Sequence, residues 1–328
     1  MRFLIAGFGS IGRRHLRNLL ALGERDIVFY RTCQSTLPAD EIACFPVETD
    51  LRAALDHRPD AVIISNPTAL HLDVAIPAAE AGCHLLLEKP VSHTLERVGD
   101  LQAALERGKG KVLVGFQFRY HPTMQAAVRL IREGAIGTPF SVRSHWGEYL
   151  PAWHPWEDYR RSYAARADLG GGVIHSLCHP FDYLSWLLGE IDALWAFAGA
   201  LGGLELTVED TAEIGLRFKS GAVGSLHLDC VQRPPSHTWQ INGQSGMMTW
   251  DNATAELRVF RAVINAWEII PPPPNFERND LFLAEMRHFL AVIRGEAEPV
   301  CGLQDGLRAL EMALLARASA ADGRIKNF

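Results

Sequence analysis

Residues 2–23 read RFLIAGFGSIGRRHLRNLLALG, and this stretch decides the fold of the first third of the chain. Arg2–Ala6 is a short apolar run of strand type. Gly7, Gly9 and Gly12 follow at GxGxxG spacing. Leu16, Leu19 and Leu20 then recur at helical spacing, and Gly23 supplies a stop. Strand, glycine turn and helix in that order form the fingerprint of a dinucleotide-binding unit. Gly7 permits a tight turn, Gly9 lets a pyrophosphate approach the backbone, and Gly12 lets helix and strand pack closely. Ser10 and Ile11 open the helix, whose free N–H groups face the phosphates. The plain alternative is a glycine-rich turn without a ligand.

The pattern continues downstream. Asp26–Tyr30 is a second strand, ending in Arg31 and Thr32. NAD-specific units place an acidic residue about 20 residues past the glycines, on the ribose 2′-hydroxyl. Arg31 stands there instead, and a guanidinium suits a 2′-phosphate. NADP is the preferred reading and NAD the alternative; a solvated surface arginine is the competing reading of Arg31 itself. AVIIS (61–65) is a strand leading into Asn66-Pro67-Thr68 and a helix over 69–81, kinked at Pro77. HLLLE (84–88) leads into Lys89-Pro90. A helix spans about 95–107, and KVLVGFQ (111–117) is a further strand. Strands alternating with helices predict a parallel, doubly wound sheet, with ligands at the carboxyl ends of its strands. Arg31, Asn66, Glu88, Lys89 and Gln117 through Tyr120 all fall at such ends.

The chain has 328 residues, 48 % of them apolar and 21 % charged, so two globular domains are expected. A net charge of −6 without a basic stripe argues against nucleic acid and gives no sign of a membrane surface. No apolar run approaches the roughly 20 residues of a membrane span. The first apolar stretch is too short for a signal peptide and runs into glycines. Cys33, Cys44, Cys83, Cys178, Cys230 and Cys301 are scattered without a CxxC pair. They read as reduced, mostly buried thiols of a cytoplasmic chain.

GFGSIG, SNPTALH, LLLEKP, GFQFRYHP and GGG…H…D occur in that order. Nearly the whole chain thereby resembles the glucose–fructose oxidoreductase / inositol dehydrogenase (Gfo/Idh/MocA) family. EKP at a strand end, followed by GxxxRYxP, is the most specific part. The resemblance implies an α/β plus α+β fold: a Rossmann NAD(P)-binding domain over 1–119, and a substrate-binding and oligomerisation domain over 120–328 with a large, mainly antiparallel open sheet. DALWAFAG, TAEIGLRFK, AVGSLHLDC, TWQINGQ, GMMTWD and ELRVFR supply strands for that sheet, with turn glycines between them. Amphipathic helices over about 277–293 and 303–320 close the chain, with a return to the first domain as an option. A broad bare sheet face implies pairing of subunits, as homodimer or homotetramer.

The implied activity is hydride transfer between nicotinamide and a hydroxyl or carbonyl of a sugar, cyclitol or sugar derivative. The cofactor carries the hydride, while the protein places the alcohol and handles its proton. By resemblance Lys89 stands beside the reacting hydroxyl, on a Lys-Pro bond often cis in the family. By resemblance Glu88 orients Lys89 or contacts the cofactor, Asn66, Pro67, His71, Gln117 and Lys89 itself also line the cofactor, and Arg119 and Tyr120 face the substrate. Arg119 binds an anionic group or braces its loop. Two other activities of the fold are a redox-neutral glycoside hydrolase with retained NAD and a non-catalytic nucleotide or sugar sensor.

GGGVIHSLCHPFD (170–182) carries the second catalytic candidate. In the family this segment projects a histidine, matched by His179, with an aspartate three or four residues earlier. Ser176 and His175 stand at those positions and are assigned to the substrate. The departure leaves open which group assists the proton transfer and which hydroxyl reacts. His175 and His179 are four apart and share a face if one helix runs through both. Without an HExxH glutamate or a second ligand cluster no metal is expected. Trp146, Trp153, His154 and Trp156 precede Arg160-Arg161; they read as packing or as faces for a sugar ring, and the arginines as surface groups.

Overall fold

The computed structural model describes residues 1–32, 38 and 40–328, so Cys33 lies outside the described residues. The chain divides into two compact units. One comprises 1–117, 168–170 and 278–307; the other comprises 118–167, 171–277 and 308–328.

The first unit holds β1 (Arg2–Ala6), β2 (Asp26–Tyr30), β3 (Val47–Glu48), β4 (Ala61–Ile64), β5 (His84–Leu87) and β6 (Val112–Val114). They form a six-stranded sheet in the order β3-β2-β1-β4-β5-β6, and every neighbouring pair is parallel. Leu4, Ile5, Val62, Ile63, Leu85 and Leu86 are fully buried, as strands covered on both faces require. The helices are α1 (Ser10–Ala21), α2 (Leu51–Asp56), α3 (His71–Glu80) and α4 (Val98–Gly108). Asp50 caps α2 by accepting the Ala53 N–H at 2.9 Å. The helix predicted from residue 95 starts at Val98 because Arg97 is left-handed, at φ 61°. The strand predicted to residue 117 stops at Val114; the chain then leaves the sheet, and Gln117–Tyr120 forms a 3₁₀ turn. The strand order reverses direction between β1 and β4, which puts a crevice at their carboxyl ends.

The second unit holds β7 (Pro139–Tyr149), β8 (Ile191–Gly199), β9 (Thr211–Phe218), β10 (Val223–Asp229), β11 (Val231–Gly243), β12 (Gly246–Asp251), β13 (Glu256–Arg261), β14 (Ala266–Ile270) and β15 (Lys326–Asn327). They form one sheet, ordered β14-β13-β12-β11-β7-β10-β9-β8-β15. All its pairs are antiparallel except β7 with β10. The helices are α5 (Pro122–Arg132), α6 (Leu150–Trp153), α7 (Val173–Ser176) and α8 (His179–Leu188). One sheet face is apolar: Val142, Trp146, Ile214, Leu226, Trp239, Met248, Trp250 and Leu257 are buried. Trp250 Nε1 donates to Thr123 Oγ1 at 3.0 Å, which ties α5 to this face. The Ser144 and Tyr183 hydroxyls, 2.9 Å apart, tie α8 to it. The other face carries Arg143, His145, Glu213, His227, Gln240 and Arg258 around a concavity of ≈ 720 Å³.

β7 was not foreseen, although it is the centre of this sheet. Ser144 takes an inward position between Val142 and Trp146, and Gly147 follows, so the apolar alternation is broken where it matters. β11 begins earlier than TWQINGQ, because a bulge between Val231 and Ser236 absorbs Pro234 and Pro235.

Two long helices complete the chain, α9 (Arg278–Ile293) and α10 (Leu303–Asp322). α9 packs on α1 within the first unit. The Arg14 guanidinium lies 4.4 Å above the Phe282 ring, and Asn279 Nδ2 donates to Asn18 Oδ1 at 3.0 Å. No helix of the described residues is long and apolar enough to cross a membrane. Cys44 is exposed, and Cys83, Cys178, Cys230 and Cys301 are buried. Burial pushes the Cys83 thiol up to about 11 and the Cys230 thiol up to about 12, which keeps both protonated at neutral pH.

Candidate active site

In the first unit the glycine turn joins β1 to α1. Gly7 sits at φ +90°, and a Cβ there would lie 2.7 Å from the Asn66 backbone nitrogen. A Cβ on Gly12 would lie 2.4 Å from the Gly7 carbonyl oxygen and 2.7 Å from Ser65 Oγ. These two glycines are therefore required by close packing. Gly9 differs: it is the N-cap of α1, and a Cβ there would meet nothing within 4 Å. No side chain caps the helix, so Ser10 and Ile11 begin it with backbone N–H groups beside open space. An uncapped helix start and an open glycine suit a diphosphate. Arg31 follows β2 and is half-buried. Its backbone N–H donates to Glu48 O at 3.0 Å, while Nε has no hydrogen-bond partner among the described residues. Thr32 beside it is exposed.

Two loops at neighbouring strand ends are stitched together by His71. Its Nε2 lies 3.0 Å from Asn66 O and its Nδ1 lies 2.9 Å from Pro90 O. Burial pushes this imidazole's pKa down against the pull of those carbonyls and Glu88. The neutral ring has one N–H, so one carbonyl receives it at a time. Asn66 Nδ2 donates to Leu70 O at 3.0 Å, and Pro67 precedes the 3₁₀ turn Thr68–Leu70. The Lys89-Pro90 bond is cis, and Lys89 is half-buried between buried Glu88 and Pro90. His15 Nε2 donates to Glu88 Oε1 at 2.8 Å. Gln117 is buried at the start of its turn.

In the second unit, His175 and His179 do not share one helix. α7 ends at Ser176, Leu177 turns to ψ 36°, and α8 begins at His179. The break coincides with Pro180, which lacks an N–H and is best accommodated in a first turn. Gly172, at φ +103°, lets the chain enter α7. Arg317 grips this entry, donating to Gly171 O and to Glu209 Oε1 at 2.8 Å, while Glu209 accepts the Ile174 N–H at 3.3 Å. Arg119 forks onto Asp182 of α8, with Nη2 at 2.6 Å and Nε at 3.1 Å. That fork ties the 3₁₀ turn after β6 to α8. Arg160 is an exposed partner of Asp158 and Glu205.

Residues 1–116 match the oxidoreductase family model with an NAD-binding Rossmann fold, and residues 124–249 match the GFO/IDH/MocA C-terminal domain. The chain belongs to the Gfo/Idh/MocA family of oxidoreductases. It is similar to the uncharacterized oxidoreductase YrbE of Bacillus subtilis (strain 168), 29% identical over 337 residues, covering 97% of this chain and 94% of that protein. D-apiose dehydrogenase of Paraburkholderia graminis is 26% identical over 339 residues, covering 98% and 88%. The structure of levoglucosan dehydrogenase in complex with NADH has the same fold, with a TM-score of 0.89 at 22% identity over 100% of this chain and 98% of that one.

Around His179, the second unit of this Gfo/Idh/MocA chain builds an aromatic nest that sequence reading missed. The buried His179 ring lies 5.5 Å from Trp146 at 28°, and 5.2 Å from Phe118 at 81°. His237 stacks on Trp146 at 4.0 Å and 4°, and its Nε2 is 3.2 Å from the Tyr183 hydroxyl. Phe118 is also edge-on to Trp250 and Tyr183. The available signal was the alternation of His237, Trp239 and Ile241 along β11. His175 and Ser176 are buried in α7, and Tyr120 is half-buried in the 3₁₀ turn after β6.

On the polar sheet face, His145, His227 and Asp229 present donor atoms within 4.8 Å of one another. The two rings are stacked at 4.6 Å and 8°, so their in-plane lone pairs do not converge on one point. Glu213 and Asp229 engage both nitrogens of His227, at 2.6 and 2.9 Å. That arrangement suits an imidazolium better than a metal ligand.

His121 sets a pH limit on this unit. It is buried against Trp250 and Phe276, and burial pushes its pKa down to about 4. The Thr123 hydroxyl proton goes to Ala255 O at 2.8 Å, so His121 Nδ1–H donates to Thr123 Oγ1 at 3.0 Å. The unfolded histidine binds a proton near pH 6.5 that the folded one refuses until about 4. Stability is therefore complete above about pH 6.5 and falls through that window by roughly 3 kcal/mol. Urea midpoints at pH 7 and about pH 4.5 should converge in His121→Phe relative to the parent protein. An unchanged pH slope would remove His121 from the explanation.

Proposed function

We propose that this chain is an NADP-preferring dehydrogenase acting on a secondary hydroxyl of a sugar, cyclitol or sugar derivative. The observation that carries the proposal is one edge of one sheet. The open glycine cradle at Gly7–Gly12 and the half-buried Lys89 both stand at carboxyl ends of the first unit's strands. Relatives support the substrate class, among them D-apiose dehydrogenase and the myo-inositol 2-dehydrogenase of Thermotoga maritima.

Gly7, Gly9, Ser10, Ile11 and Gly12 would hold the diphosphate, Arg31 and Thr32 the adenosine end, and Asn66, Pro67 and Gln117 the remaining edge. Nicotinamide, when bound, supplies the hydride acceptor or donor. Lys89 would take the hydroxyl proton at Nζ during oxidation and return it during reduction. His71 has both ring nitrogens at carbonyls, so its part is to hold the Asn66 and Pro90 loops together. His179 is assigned as the second polar group for the substrate hydroxyl, with Tyr120, His175 and Ser176 shaping its surroundings. Arg119 acts through Asp182, at the first turn of the helix that His179 opens.

The polar concave sheet face, where Arg143, Glu213, Glu256 and Arg258 alternate in sign, is assigned to pairing with a second copy.

The cofactor assignment is tested by fluorescence titration of cofactor-free protein with NADPH and NADH. NADPH is expected to bind more tightly. Arg31→Ala should weaken NADPH by about 10- to 100-fold, the worth of a charge-assisted contact, and leave NADH nearly unchanged. Tighter NADH binding, or indifference to Arg31, would sink the 2′-phosphate argument. A panel of sugars and cyclitols, followed by net reduction of NADP, tests the substrate class. Glycoside cleavage without net reduction would point to hydrolysis instead.

A further inference from the structure

The first unit buries three ionisable side chains together, behind the turn that carries Lys89. His15 of α1, Glu88 after β5 and Glu285 of α9 present one ring nitrogen and two carboxylate oxygens within 4.8 Å of one another. His15 and Glu285 have zero exposure, and Glu88 is 7% exposed. His15 Nε2 donates to Glu88 Oε1 at 2.8 Å. Neither oxygen of Glu285, nor Nδ1 of His15, has a hydrogen-bond partner among the described residues. A buried carboxylate without a donor is among the most costly groups a fold can hold, so its charge must be neutralised.

We propose that Glu285 is a positioning residue for Lys89: it stands as a neutral carboxylic acid whose proton is directed at the Glu88 carboxylate, so that His15 and Glu285 together fix the residue preceding Lys89. The proposal rests on the role given to Lys89 above. Two carboxylates at this spacing cannot both ionise in a dry interior, and one proton between them removes the repulsion. Burial drives the Glu285 carboxyl well above its ordinary range, and the Glu88 charge drives it further. Burial pushes Glu88 the same way, but the His15 hydrogen bond and the Lys89 charge outweigh it and hold Glu88 low. The pair is thus divided into one acid and one base. The groups facing it are His15 and Arg14 from α1, His71 from α3, Lys89 from the strand end, and Arg278 from α9 beside Arg14. A carboxylic acid offers Glu88 a donor on the side that His15 does not cover.

The sign of the pH effect follows. The unfolded Glu285 loses its proton near pH 4.5, while the folded one keeps it to higher pH. The folded state thus binds the extra proton, and stability falls as pH rises through that window. Glu285→Gln is an uncharged near-isostere and escapes the fall; Glu285→Leu fills similar space but offers no donor.

The experiment compares the two variants with the parent protein by thermal melting at about pH 5 and about pH 8. Competitive acetylation of Lys89 by acetic anhydride across pH, read by mass spectrometry, is run alongside and needs no substrate. Glu285→Gln should melt with the parent at about pH 5 and above it at about pH 8, with an unchanged Lys89 labelling midpoint. Glu285→Leu should move that midpoint by about 0.5 unit or more. The proposal is overturned if Glu285→Gln behaves like Glu285→Leu, if the melting difference ignores pH, or if Glu285→Leu leaves the Lys89 midpoint in place. It is also overturned if EDTA lowers the parent's Tm and Zn²⁺ or Mn²⁺ restores it, since a cation would then occupy the gap. Failure of the Lys89 assignment would show separately, as turnover surviving in Lys89→Met.

Discussion

Lys89→Met is expected to lower kcat/KM for hydroxyl oxidation by about 10³-fold while leaving NADPH affinity within about threefold, because general acid–base groups contribute roughly 10²–10⁴. Methionine matches the stem of lysine and keeps the apolar packing of a half-buried side chain, so the change removes the ammonium and little else. The backbone at this site is held independently of Nζ. His71 reaches Pro90 O, and His15 holds Glu88. Binding and chemistry therefore separate, with titration reporting the first and turnover of the best sugar from the panel reporting the second. An active Lys89→Met protein would show that another group takes the proton. Loss of NADPH binding would show that Lys89 serves the cofactor instead.

Gly7→Ala is expected to cost about 3 kcal/mol or more, from positive-φ strain combined with overpacking. At φ +90°, its Cβ would press on three backbone atoms of Ser65 and Asn66 between 2.7 and 2.9 Å away. Backbone cannot rotate aside as a side chain can, so β1 and β4 must part at the crevice. Gly9→Ala is the matched contrast. Its Cβ meets no protein atom within 4 Å, so the melting temperature should hold while NADPH affinity falls, if the space belongs to the diphosphate. Chemical denaturation with parallel cofactor titration separates the two effects. Equal destabilisation by both variants would contradict this division.

Five strands of the parallel sheet were legible because they are continuous apolar runs; β3, only Val47–Glu48, carries too little pattern to be read. The second sheet was legible in part. ELRVFR and TAEIGLRF alternate cleanly, but β7 places Ser144 among its inward residues because the Tyr183 hydroxyl waits there for it. A polar residue with a distant partner looks, in sequence, like the end of a strand. The histidines misled for a related reason. A spacing of four implies a shared face only if one helix runs through, and Pro180 starts a new one. Arg119 with Asp182, and Glu88 with His15, pair across long stretches of chain. No local pattern encodes such pairs, so neither was legible. Glu285 is the clearest instance, an ordinary glutamate in an amphipathic run that the fold carries into a sealed interior.

β7 also governs the order in which the molecule can be made. Residues 139–149 bond to 223–229 on one side and to 231–243 on the other. A chain leaving the ribosome thus presents both edges of this strand, with Val142 and Trp146 uncovered, until synthesis passes Gly243. Such long-range pairing closes late and slowly, and an open apolar edge invites association with other nascent chains. The central strand of the finished sheet is thus an open one in the unfinished chain, and a chaperone that shields it would act between the two.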